Sequence, residues 1–107
     1  MYVDRMIIAV AAAALVGGVV QAQEFGDRQK GRALARQVCA ECHAVGNRRL
    51  RSPNTQSPTF AAIAATPGMT ATALNVFLHT SHRNMPNIIL SADQTSDIAA
   101  YILSLKK

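Results

Sequence analysis

The chain opens with a run of uncharged, mostly apolar residues from Met6 to Val20. As a helix, a run of that length would extend about 22 Å, whereas the apolar core of a bilayer is about 30 Å thick. The run ends at Val20-Gln21-Ala22, whose small residues fit the cleavage site of a secretory signal peptide. We therefore expect residues 1–22 to be a signal peptide, cleaved after about Ala22, and residues 23–107 to form one domain. A retained membrane anchor and a buried core helix are the alternatives.

An amphipathic pattern follows the apolar run. Apolar residues spaced i, i+3, i+4 and i+7 predict a helix from about Asp27 to Cys42. The members of this stripe are Gly31, Leu34, Ala35 and Val38. Three arginines recur every fourth residue on the other side, as on a solvated face: Arg28, Arg32 and Arg36.

The end of the chain carries the same helical spacing. Its apolar stripe consists of Ile98, Tyr101, Ile102 and Leu105. Ser91 and Gln94 have the spacing of a capping box, so they mark the start of this last helix. The matching stripes indicate that the first and last helices cross. Gly31 costs about 1 kcal/mol relative to Ala inside a helix, which is understandable if Tyr101 packs against the backbone there. A helix that frays at Gly31 is the alternative.

Two shorter helices are predicted between these, and no segment has the pattern of a strand. One is a turn after Pro58, and Thr66-Pro67-Gly68 ends it. The other spans Ala71 to Thr80, with Thr70 as its cap. Its inward-facing residues are predicted to be Leu74, Phe77 and Leu78. The segments 44–57 and 81–90 are predicted loops, so the fold class is all-α.

The composition of residues 23–107 indicates that a cofactor fills part of the interior. The aromatic residues of this segment are Phe25, Phe60, Phe77 and Tyr101. A domain this small buries a modest share of its surface and often needs a staple or a cofactor. Few aromatic residues and many alanines make a thin core.

The two cysteines lie in one pentapeptide, Cys39-Ala40-Glu41-Cys42-His43. C-x-x-C-H is the attachment signature of c-type haem. Positions i, i+3 and i+4 share one face of a helix, so both sulfurs and the imidazole can point at one flat ligand. We expect Cys39 and Cys42 to form thioethers with a single covalent haem c and His43 to be the proximal iron ligand.

Three other interpretations fit parts of the motif. A thioredoxin-like redox pair belongs near a βαβ pattern, which is lacking here. A zinc site could add His79 and His82, although both spacings depart from those of zinc ribbons and fingers. A disulfide across so short a loop stabilises little and leaves His43 unexplained.

Over residues 26–107 the chain resembles class I cytochromes c. The residues that carry the resemblance are Cys39-Ala40-Glu41-Cys42-His43, His82-Arg83-Asn84-Met85-Pro86 and Asp97-Ile98-Ala99-Ala100-Tyr101-Ile102. The resemblance implies a small cytochrome c fold, in which the N- and C-terminal helices cross around one covalently bound haem and Gly31 and Tyr101 are the crossing pair. It also places Pro58 where a proline carbonyl accepts the Nδ1–H of the proximal histidine, with Pro53 as a competitor.

The sixth iron ligand is left open by residue type alone, because several donors follow the motif. They are Met69, Met85, His79 and His82. A methionine on its own is more often a flexible core residue than a ligand. The resemblance assigns the role to Met85.

A histidine–methionine pair leaves no iron position for a substrate and favours ferrous iron. The expected function is therefore single-electron transfer between periplasmic or membrane redox partners of a respiratory chain, not catalysis. The alternative is a haem subunit or sensor of a larger complex, with an exchangeable sixth ligand.

Charge bears on the partner, since the chain carries 11 basic and 6 acidic side chains. If the loops that carry them flank the haem edge, four arginines form a basic collar that would attract redox partners with acidic docking surfaces. They are Arg48, Arg49, Arg51 and Arg83. The sequence contains no Trp that could donate a hydrogen bond to a haem propionate. The candidate partners of the propionates are Arg48, Arg49, Arg51 and Asn84. We expect a periplasmic monomer that meets membranes only through membrane-bound partners and binds no nucleic acid.

Overall fold

Four α-helices joined by turns and loops form the fold in a computed structural model, which describes residues 26–80, 82 and 84–107. The helices are α1 (Arg28–Val38), α2 (Phe60–Ala65), α3 (Ala71–His79) and α4 (Ala92–Ser104). No strand occurs within these residues, which confirms the all-α class. None of the helices in this part of the chain is long and apolar enough to cross a membrane. The predicted signal peptide lies outside the described residues.

Each helix begins at a side chain that caps its first free backbone N–H groups. The caps are Asp27 for α1, Thr59 for α2, Thr70 for α3 and Ser91 for α4. Ser91 and Gln94 form the predicted capping box: the Ser91 hydroxyl accepts from the Gln94 N–H, and the Gln94 side chain accepts from the Ser91 N–H. The predicted starts of the last three helices are confirmed.

The first helix is shorter than predicted. The helix ends at Val38, rather than at Cys42, with Cys39 as its C-terminal cap, and a turn follows. The Ala40 N–H donates to the Ala35 carbonyl, five residues back, and the Cys42 N–H donates to the Cys39 carbonyl, three residues back. The hydrogen-bond spacing therefore widens to five residues at Ala40 and narrows to three residues at Cys42. Apolar periodicity does not reveal this change.

The α1–α4 crossing is confirmed, and it leaves no space for a side chain at Gly31. A Cβ there would lie 1.9 Å from the Asp97 carbonyl oxygen and 2.9 Å from the Tyr101 Cβ. Gly31 is buried within α1, so the helix does not fray there. Just before α1, the Asp27 N–H donates to the Asp97 carboxylate across 2.7 Å, which ties the start of α1 to α4.

The core is centred on the inner face of α4. Its predicted stripe is buried, together with Thr95 and Ala99 between the stripe positions. The Phe60 and Tyr101 rings pack at a centroid distance of 6.3 Å. In α3, Leu74 is buried and Leu78 is partly buried, as predicted, but Phe77 is 51% exposed. Phe77 faces inward as predicted, but its side chain lines a cavity rather than packing in the core.

Candidate functional site

The C-x-x-C-H segment follows α1 as a compact turn. The His43 N–H donates to the Cys39 carbonyl over 2.9 Å, a bond with helical spacing. Cys39 and His43 are thus held one turn apart, although the regular helix has already ended. The common face that sequence spacing predicts for them survives in this turn.

The imidazole of His43 is oriented by the backbone of the next loop. Its Nδ1 lies 2.6 Å from the carbonyl oxygen of Pro58. A carbonyl only accepts, so the proton is on Nδ1 and the lone pair of Nε2 is free to bind a metal. The ring also packs against Phe60 at a centroid distance of 5.5 Å. Between the two candidate prolines, Pro58 holds this position and Pro53 does not.

Three hydrogen bonds close the loop that carries Pro58. The Asn54 N–H donates to the Cys42 carbonyl over 3.1 Å, and the Phe60 N–H donates to the Ala44 carbonyl over 2.9 Å. The Ala44 N–H donates to the buried Ser52 hydroxyl at 3.0 Å. The base of the loop is thereby fixed to the motif, which keeps the Pro58 carbonyl opposite His43.

Both cysteines and His43 line a cavity of about 490 Å³. Its walls are mainly apolar and come from all four helices. They include Val38, Phe60, Ile63, Leu74, Phe77, Leu78 and Ile102. The volume lies within the range of cofactor and small-molecule sites, roughly 300–1,000 Å³.

The segment before α4 closes the cavity, and it supplies Met85 and His82 to the lining. Met69 also lines the cavity, whereas the His79 Nδ1 bonds the Asn75 carbonyl of its own helix. Asn84 has a positive φ of 62°, and its side-chain amide donates to the Gln56 oxygen at 3.1 Å. Three of the four candidate sixth ligands are therefore brought to one cavity.

The geometry does not fit the redox or zinc interpretations of the cysteines. Burial raises the pKa of the Cys39 thiol to about 11, whereas disulfide oxidoreductases need a lowered thiol pKa. Within the described residues, no three His, Cys, Asp or Glu side chains are placed to hold a metal ion. Neither cysteine is in a disulfide.

Comparison with known proteins identifies the family. Residues 26–102 match the family model described as cytochrome C oxidase, cbb3-type, subunit III. The chain belongs to the monohaem class I cytochrome c family. It is 39% identical over 80 residues to Cytochrome c-552 of Bradyrhizobium diazoefficiens, which covers 75% of this chain and 76% of that protein. No solved structure matches the chain.

As a cytochrome c, the protein carries covalently bound haem c and transfers electrons through it. The residues on the cavity wall fit this group. Two thiols stand beside an imidazole whose Nδ1 is hydrogen-bonded to the Pro58 carbonyl, and the remaining wall is mainly apolar and large enough for a flat macrocycle. The small cytochrome c fold expected from the resemblance is confirmed.

Of the arginines in the predicted collar, the three that the structure describes, Arg48, Arg49 and Arg51, do not line the haem cavity of this cytochrome. Arg48 and Arg49 line a second groove instead, and Arg51 lines neither. Arg83 lies outside the described residues. Of the predicted propionate partners, Asn84 alone lines the cavity in this part of the chain.

Gln56 is one of the cavity residues that sequence analysis missed. It lies in a polar loop without periodicity, and its bond to Asn84 spans 28 positions.

Proposed function

We propose that this cytochrome is a soluble single-electron carrier whose haem iron is bound by His43 and Met85. Cys39 and Cys42 form the two thioethers, and Gly31 and Tyr101 hold the crossing that supports the cavity. The observation that carries the proposal is the convergence of both cysteines, His43 and Met85 on one cavity, with the His43 tautomer set by Pro58.

The residues around the iron position support electron transfer rather than catalysis. With an imidazole and a thioether as its protein ligands, the iron would have no position for a substrate, and the thioether would raise the reduction potential. The Pro58 carbonyl keeps the imidazole oriented and increases its basicity. Apolar side chains such as Leu74 and Ile102 keep water away, which also tunes the potential.

Location and partners follow from charge and from the N-terminal sequence. We propose export to the periplasm, with cleavage of residues 1–22 after about Ala22. Over residues 23–107, the excess of basic over acidic side chains, 10 against 5, favours redox partners with acidic docking surfaces. The carrier is proposed to be a monomer that meets membranes through such partners.

The test of the axial ligand compares Met85→Ala with Met69→Ala, since both methionines line the cavity. Met85→Ala is expected to retain covalent haem, lose the weak long-wavelength band of ferric methionine ligation, show a lower potential and bind carbon monoxide. Met69→Ala is expected to keep the wild-type spectrum. Loss of the band in Met69→Ala, or an unchanged spectrum in Met85→Ala, would move the ligand role away from Met85.

A second function is favoured by one contact. His82 also lines the cavity, and its carbonyl accepts from the Met85 N–H at 3.0 Å. Exchange of the sixth iron ligand between Met85 and His82 would suit a haem sensor or a haem subunit of a larger complex. Such a protein would show mixed methionine and bis-histidine spectra in the wild type, and His82→Ala would leave methionine ligation alone.

A further inference from the structure

A second concavity lies between α1 and the loop after the haem motif. Its volume is about 920 Å³, and His43 is the one residue that it shares with the lining of the haem cavity. The floor contains small and apolar residues, including Ala40, Val45 and Leu105. The groove is thus a separate feature, and haem binding does not account for it.

Four arginines line this groove, two from each side. Arg32 and Arg36 are one turn apart on α1, and Arg48 and Arg49 are adjacent in the loop. All four are exposed. Among the described residues that line the groove, none is acidic. Like charges at i and i+4 on a helix repel, so a counter-anion in the groove would relieve an unfavourable arrangement.

The two sides of the groove are held by the fold. The Tyr101 hydroxyl donates to the Val45 carbonyl, which ties the start of the loop to α4. The bond from Ala44 to Ser52 closes the other end of the arginine-bearing segment. On the opposite side, α1 is fixed by its close crossing at Gly31. Because the elements are already positioned, less ordering is needed when a ligand binds.

We propose that this groove binds a small multivalent oxyanion, with phosphate or carboxylate groups bridging the α1 and loop arginines. Guanidinium groups form paired, charge-assisted hydrogen bonds with both kinds of oxyanion. The volume is that of a small-molecule site. This site does not depend on which residue is the sixth iron ligand.

The experiment titrates the holoprotein with tripolyphosphate and, separately, with citrate at constant ionic strength, using calorimetry. The groove variant is Arg32→Gln/Arg49→Gln. The matched control is Arg28→Gln/Arg51→Gln, which removes the same charge from the same two elements but from residues outside the groove. We expect saturable binding by at least one of the anions, at least about tenfold weaker in the groove variant, because each substituted arginine removes charge-assisted hydrogen bonds to the anion. The control should bind nearly as the wild type does.

The two titrations show which oxyanion the groove prefers. Equal losses in both double variants would overturn the proposal in favour of general charge attraction. Absence of saturable binding by either anion would also overturn it, even if the groove variant slowed electron transfer with a partner, which would identify a protein docking surface instead. An unchanged visible spectrum in each variant shows that the haem site is intact, so the result stands apart from the axial ligand proposal.

Discussion

Two glycines of this cytochrome have opposite surroundings and allow a matched test of the helix crossing. At Gly31 a Cβ would meet the Asp97 backbone at 1.9 Å, whereas at Gly46 nothing lies within 4 Å. Gly31→Ala is expected to destabilise the holoprotein by about 3 kcal/mol, because backbone cannot move aside as a flexible side chain can. Chemical denaturation measures the change.

Gly46→Ala serves as the control and should change the free energy of unfolding by less than about 0.5 kcal/mol. Similar stabilities for Gly31→Ala and the wild type would contradict the close crossing.

The residues of the site were predictable to different degrees. Cys39, Cys42 and His43 are adjacent in sequence, so local spacing was sufficient to group them. Pro58 and Pro53 could not be separated without the structure, because the choice depends on how the intervening loop closes through Ser52. The Gln56 contact with Asn84 leaves no sequence pattern, since both residues lie in irregular segments.

At the scale of helices, α1 offers a test of its N-terminal cap. The Asp27 carboxylate accepts hydrogen bonds from the backbone N–H groups of Lys30 and Gln29. These bonds hold the pKa of Asp27 below its ordinary value of 3.8, and the bond from Lys30 has the larger effect. A carboxyl group whose pKa is lower in the folded than in the unfolded chain stabilises the fold at pH values above its unfolded pKa. That stabilisation is lost as the pH falls through the pKa of the folded state. Asp27→Asn should therefore be less stable than the wild type near neutral pH, with the difference shrinking below about pH 4.

Denaturant unfolding at several pH values measures that difference. Asp27→Ser, an uncharged cap, should follow the same pH trend as Asp27→Asn. A difference that stays constant or grows on acidification would show that the Asp27 charge does not stabilise α1.

Helix starts were better predicted than helix ends. Ser91 with Gln94 and Thr70 are local signals that the structure reproduces. The end of α1 was misjudged because the chain tightens into a turn at Cys39 while the residue types still look helical. Periodicity also did not show that Phe77 lines a cavity instead of the packed core, since α3 faces both and these two surroundings are equally apolar.

For the molecule as a whole, the cavity lies where other small domains have side chains. The buried core contains few large residues, and Ile98 is the largest fully buried side chain in the described part of the chain. At about 24 cal/mol per Å³, a void of about 490 Å³ would cost roughly 12 kcal/mol if it stayed empty. Domains of this size are stable by only about 5–15 kcal/mol in total. The prediction from composition, that a cofactor completes the core, thus has a physical basis in the cavity.

Without covalent haem, the chain is expected to lose its folded core. Cys39→Ala/Cys42→Ala removes both attachment sulfurs, and the domain is expected to be largely unfolded, because the four helices share one incomplete core. Circular dichroism during heating measures this as weak helical signal without a cooperative transition. Glu41→Ala is the matched control: it lies between the cysteines, is exposed, and should bind haem and melt as the wild type does. A cooperative, helix-rich melt of the double variant would contradict the role of haem as the centre of the core.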